Sequence, residues 1–136
     1  MASVEELEKI CQKIMQLDPK MRSSRLISNR GHLVAGGMKE GLKSLEETKH
    51  DEMMFMELAL RVRMRRDFDK ELGHVHFAMS YRDKVIIMSF PLADDDVLLA
   101  SGECEIDFSK IAFEIMDLIK DLRDHATTFL KISILS

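Results

Sequence analysis

Two histidines, four arginines, three aspartates and two cysteines are the side chains in this sequence whose types and spacing could do chemistry. His74 and His76 form an H-x-H pair. On a strand, residues two apart share a face, roughly 7 Å apart along the chain, so the pair could open a zinc site. Zinc takes three or four protein ligands. Only Cys11, Cys104 and scattered carboxylates remain to complete the set, unless a second copy across a two-fold axis supplies another pair. A solvated strand face is the simpler reading, and no metal is expected. Arg61, Arg63, Arg65 and Arg66 form a basic patch of four guanidinium groups within six residues. On a helix they fan around its last turns, where cations complement the negative end of the macrodipole. They could dock an anion or a partner, but a solvated face paired with Glu57, Asp67 and Asp69 is the preferred account.

The remaining reactive residues carry less. Asp94-Asp95-Asp96 lacks the alternating oxygen ligands and central glycine of a calcium loop and reads as an exposed charged loop. Cys104 stands between Glu103 and Glu105, not the electropositive surroundings a nucleophilic thiolate needs. Cys11 falls on an apolar helix stripe. Ser101, Ser109 and the histidines show no triad signature. Gly36-Gly37 is followed by Met38-Lys39-Glu40-Gly41, which is not a phosphate-binding loop, and there is no G-x-G-x-x-G or G-x-S-x-G. No enzyme and no cofactor are expected.

Composition narrows the partners. A chain of 136 residues suits one domain, and 46% hydrophobic residues can build a core. The net charge of -4 argues against a general polyanion binder. Stacking aromatics are scarce, and residues 94–107 carry six acidic groups and no basic one, so no nucleic acid is expected. The longest uncharged apolar run, Val85 to Ala93, has nine residues, against about 20 for a spanning helix, so no membrane segment is expected. The N-terminal Met-Ala-Ser-Val-Glu-Glu reads as neither signal nor transit peptide. The expectation is a cytoplasmic chain with reduced thiols.

The most informative feature is methionine: 11 of them, against one Tyr and no Trp. Met53, Met54, Phe55 and Met56 are consecutive. Each helical step turns by about 100°, so they cannot all face one sheet. Methionine is over-used at adaptable binding surfaces. Met53, Met54, Phe55, Met56 and Leu60 are therefore assigned to an interface together with the strand His74 to Tyr81, in which His74, His76 and Ala78 take part.

The elements that must position these residues follow from periodicity. Ser3 and Glu6 have capping-box spacing. Val4, Leu7, Cys11 and Ile14 make one stripe on a helix of about 14 residues that ends at Asp18-Pro19. Arg22 to Ser28 and His32 to Met38 read as a hairpin around Asn29-Arg30-Gly31. A middle helix starts near Leu45 to Thr48 and runs at least to Arg66, with Met53, Met56, Ala59, Leu60 and Met64 on its inner face and Gly73 as its stop. Strands follow at His74–Tyr81, Lys84–Phe90 and Val97–Ser101. Asp107 caps a last helix to Arg123 that buries Ile111, Ile115, Leu118, Ile119 and Leu122. The expected fold is α/β (α+β), a five-stranded mostly antiparallel sheet in the order α-β-β-α-β-β-β-α. It forms one domain over 1–125, with a tail, 126–136, that either extends the helix or adds a strand.

This order resembles the Roadblock/LC7 family and its longin and profilin-like relatives over roughly residues 4–123. The local likeness lies in the hairpin Leu26 to Gly37, where a polar-Gly turn joins two short apolar strands. The block Phe77 to Val85, with Phe90-Pro91-Leu92 and the basic helix end before Leu72-Gly73, is similar to short uncharacterised proteins of ammonia-oxidising archaea (Thaumarchaeota), which bring no known activity. The Roadblock resemblance implies homodimers with the middle helix and the following strand at the two-fold interface. It also implies work as a scaffold or regulator, often of small GTPases, and no catalysis. The apolar tail departs from the minimal Roadblock domain. From another class, related curved sheets hold ligands between sheet and helix. A small-ligand or metal-binding sensor with a pocket at Phe77, Met79, Ile87 and Met88 is the alternative expectation.

Overall fold

The computed structural model describes residues 3–45 and 48–125. Ser3 sits in extended backbone and its hydroxyl accepts the Glu6 N–H at 3.2 Å, which opens α1 (Val4–Met15). This cap satisfies one of the amides that a helix start leaves without a partner. Leu7, Cys11 and Ile14 are buried, as their spacing requires. β1 (Met21–Ile27) and β2 (Leu33–Met38) form the hairpin. Its turn is held by the Ser28 hydroxyl, which accepts the amides of Arg30 and His32.

α2 (Thr48–Arg65) continues through a 3₁₀ turn, Arg66–Phe68, into the short α3 (Asp69–Leu72). It stops at Gly73, whose φ is +84°. β3 (Ala78–Tyr81), β4 (Ile86–Pro91) and β5 (Val97–Gly102) follow, with a 3₁₀ turn at Ala93–Asp95 before the last. Asp107 caps α4 (Phe108–Leu118) by accepting the Lys110 N–H at 3.3 Å, and α5 (Lys120–Asp124) completes the described chain. The expected tail 126–136 lies outside the described residues.

The sheet order is β2-β1-β5-β4-β3, and every neighbouring pair is antiparallel. The last strand among the described residues is thus the central one, buried along its whole length. Alternation divides its residues between two cores. Leu98 and Ala100 join Leu26, Ile86, Met88 and Phe90 under α1 and α4. Val97 and Leu99 join Ile27 under Phe55 and Val62 of α2.

Two expectations are corrected. The strand expected from His74 starts only at Ala78. Extending the β3–β4 register upstream of Ala78↔Ser89 would bring Pro91 opposite His76, and proline has no N–H to give a ladder. His74 and His76 are therefore not placed by strand alternation. The inner face of α2 is also different. Phe55, Ala59 and Val62 are buried, whereas Met53, Met56, Leu60 and Met64 are exposed. Both sets recur at three- and four-residue steps, so spacing alone does not say which one meets the sheet.

Candidate functional site

α2 carries two distinct surfaces. The first is the apolar stripe. Met53, Met56, Leu60 and Met64 are 60%, 63%, 51% and 58% exposed. Steps of three, four and four residues put them on one face, over a length of roughly 16 Å. The helix is pinned from below. The Arg25 guanidinium lies 5.2 Å from the Phe55 ring centroid and 3.4 Å from the Asp51 carboxylate, and Arg25 itself is buried. At its N-terminal half α2 rests on the hairpin turn: a Cβ added at Gly31, where φ is +81°, would lie 2.9 Å from Met56 Cγ. β3 is an edge strand of the sheet among the described residues. Ala78 and Ser80 stand opposite Ser89 and Ile87, and Ile87 packs under α2, so these two residues share α2's side of the sheet.

The expected interface set is thus divided. Met53, Met56 and Leu60 lie on the exposed stripe, and Met64, expected on the inner face, lies with them. Met54 is partly buried and Phe55 is in the core, because the large ring seats the helix on the sheet. Ala78 stands on the edge strand. His74 and His76 are elsewhere.

The second surface is a polar cleft of about 510 Å³ at the C-terminal end of α2. Among the described residues it collects Arg65 and Arg66, His74 and His76, Asp94 with Asp95, and Arg123 with Asp124. Arg66 Nη1 donates to both carboxylate oxygens of Asp95 at 2.7 and 2.8 Å. His74 Nδ1 lies 2.9 Å from Asp69 Oδ2. Arg123 Nε donates to Asp124 at 3.0 Å, and this hydrogen bond holds the Asp124 carboxyl below the usual range. Asp94 and Asp95 have φ of 57° and 64°, a left-handed conformation that is strained for residues with a side chain. Asn29 fixes the loop by donating its Nδ2 to the Asp94 carbonyl and its amide to Asp96 Oδ1.

The basic patch therefore splits. Arg61 pairs with Glu57 at 2.9 Å on the outside of the helix and Arg63 is exposed, whereas Arg65 and Arg66 turn to the cleft. Arg66 is paired with Asp95 and not with the nearby Asp67 or Asp69. One Arg65 nitrogen, Nη1, is closed to solvent and has no acceptor among the described residues. No local motif announces this convergence, because it depends on the return of the chain through β4 and α5.

The other reactive residues take ordinary places. Burial pushes the Cys11 thiol up to about 11. Cys104 Sγ lies 3.3 Å from the Arg82 carbonyl. Among the described residues no three His, Cys, Asp or Glu side chains gather as metal ligands, and no helix is long and apolar enough to cross a membrane. The pocket expected at Phe77, Met79, Ile87 and Met88 does not form. Phe77 stacks on Phe90 and Met88 is fully buried, while Ile87 points to the other side of the sheet.

The architecture is that of Roadblock/LC7 domains. A Roadblock/LC7 domain from Streptomyces avermitilis superposes with a TM-score of 0.65 at 17% identity, over 86% of this chain and 94% of that one. The gliding protein MglB from Thermus thermophilus gives 0.70 at 9% identity, over 93% and 95% of the two chains. An MglB in a tetrameric arrangement gives 0.61 at 9% identity, over 90% and 94%. No curated protein matches the sequence. The profile of DUF6659, a family of unknown function, matches residues 1–130, and the chain belongs to that family.

Proposed function

We propose that this chain is a homodimeric interaction and regulatory module, a cytoplasmic scaffold or signalling adaptor with no catalytic activity of its own, working as one domain over 1–125. The observation that carries this reading is the stripe Met53, Met56, Leu60 and Met64, each more than half exposed on a single face of α2. A contiguous apolar patch marks an interaction site, and methionine repacks readily against a partner. A two-fold axis lets one such stripe cover another, since the same patch serves both subunits. The edge strand β3 has no second neighbour among the described residues, and Ala78 on it is small enough to admit one. The tetrameric arrangement of an MglB with this fold supports self-association. The Roadblock resemblance suggests a small GTPase as the further partner.

Light scattering tests the dimer. The expected mass is about 31 kDa, twice the 15.7 kDa chain. Leu60→Asp combined with Met64→Asp is expected to give a monomer with unchanged circular dichroism, because both side chains are exposed and a surface change costs the fold under about 0.5 kcal/mol. A wild-type chain that stays monomeric at every concentration contradicts the reading. A small-ligand sensor is the second reading, favoured by the cleft at the far end of α2.

A further inference from the structure

We propose that segment 126–136 of this chain is the occupant of the cleft at the C-terminal end of α2, and that its apolar side chains strap that end of the helix to the sheet.

The chain itself leads to this place. Arg123 and Asp124, the last residues of α5, form part of the cleft wall. α5 ends there, because His125 has extended backbone, with φ of -131° and ψ of 130°. Segment 126–136 therefore starts on the rim of the cleft. It holds five large apolar side chains, Phe129, Leu130, Ile132, Ile134 and Leu135, against one charged residue, Lys131. So apolar a stretch gains by leaving water. Phe129 is five residues beyond Asp124. An extended chain covers at most about 3.6 Å per residue, so Phe129 has a reach of about 18 Å from the cleft wall.

The cleft suits such side chains. Its volume of about 510 Å³ accommodates more than one of them. Val62, Val75, Pro91, Leu92 and Ala93 line it beside the charged groups. Arg66, Arg123 and His74 already hold Asp95, Asp124 and Asp69 in turn, so an apolar occupant takes no partner from them. The tether decides between this segment and a foreign one. A segment joined directly to the wall binds within its own molecule, at an effective concentration in the millimolar range that a free partner does not match. The strap also complements the seat of α2, which Phe55 and Arg25 pin at its N-terminal half. Val62 faces the sheet and lines the cleft, so the strap lies off the outward stripe and is independent of the dimer. A small molecule then enters only by displacing the segment.

Photocrosslinking in the full chain tests it. With p-benzoylphenylalanine placed at Phe129, cross-links are expected to map to residues 62–66, 74–76 or 91–95 of the same molecule. Mixing with isotopically labelled chain should give no mixed product. Phe129→Asp combined with Leu130→Asp is expected to speed amide hydrogen exchange at 74–76 and 92–95 by about tenfold or more, and to leave β1 and β2 unchanged. Leu60→Asp should leave the cross-links in place even if it changes the oligomeric state. The proposal is overturned by cross-links that map to α1, α4 or the stripe of α2, by mixed-isotope products, by the absence of cross-links, or by unchanged exchange in the aspartate variant.

Discussion

Toward α1 and α4 the sheet presents Leu26, Ile86, Met88, Phe90, Leu98 and Ala100, all apolar and fully buried, with Ser24 a buried hydroxyl among them; toward α2 it presents Ser23, Arg25, Ser89 and Ser101 among Ile27, Val97 and Leu99. The cause is coverage. Five strands spaced about 4.8 Å apart make a face close to 20 Å wide, and one helix of about 10 Å diameter covers half of it. Two helices close the first side, which is then apolar but for Ser24. Among the described residues α2 alone closes the second, and that side keeps polar groups, among them the mutually hydrogen-bonded Ser23 and Ser101 hydroxyls. The same helix turns a second apolar stripe outward. The half-covered side is where a partner has something to gain, and the closed side is where stability resides.

The strongest way to break this contrast is to remove one ring from each side. Phe90→Ala is expected to cost about 4–5 kcal/mol, because Phe90 is fully enclosed and leaves a cavity its neighbours cannot fill. Phe55→Ala should cost less, about 3 kcal/mol, since the seam under a single helix can settle; the loss includes the cation–π contact of Arg25. Urea denaturation of both variants measures this. An equal or larger loss at Phe55 would contradict the distinction. It also follows that a charge at Phe55 breaks the fold, and so is no test of the dimer.

A smaller effect sharpens the closed side. Cys11 sits in the core beneath α1, and its thiol is pushed up to about 11 by burial. A group whose pKa is higher folded than unfolded supports the fold only while it stays protonated in both states. The stability it contributes is present below about pH 9 and lost as the pH rises toward about 11. Its slope is roughly 1.4 kcal/mol per pH unit. Urea midpoints measured across that window should fall for the wild type and fall less for Cys11→Ala, whose starting stability is lower. Parallel curves would remove Cys11 as the cause.

Much of this fold is legible in the residues. The Ser3 and Asp107 caps, the Leu7-Cys11-Ile14 stripe, the Asn29-Arg30-Gly31 turn and the Gly73 stop are local signals, and each element they bound is present. Signals that depend on tertiary context are not. α2 has two apolar stripes of the same period, and Phe55 rather than Met53 meets the sheet because the ring finds Arg25 and Leu99 beneath it. The central place of β5 follows from strand order, which periodicity does not encode. His74, His76, Arg65, Arg66 and Asp94-Asp95 each read as solvated charge, and the fold brings them to one cleft. The Phe77 and Ile87 side chains, expected to share a pocket, lie on opposite sides of the sheet.

Whether a second copy covers α2 can be read from methionine oxidation followed residue by residue, because the stripe reports on its own cover. With a second copy on α2, Met53, Met56 and Met64 should oxidise slowly in the concentrated wild type and quickly in Leu60→Asp, while the buried Met88 stays slow in both. Equal, fast oxidation of the three stripe methionines in both proteins would show the face open to water and would contradict a dimer built on this helix.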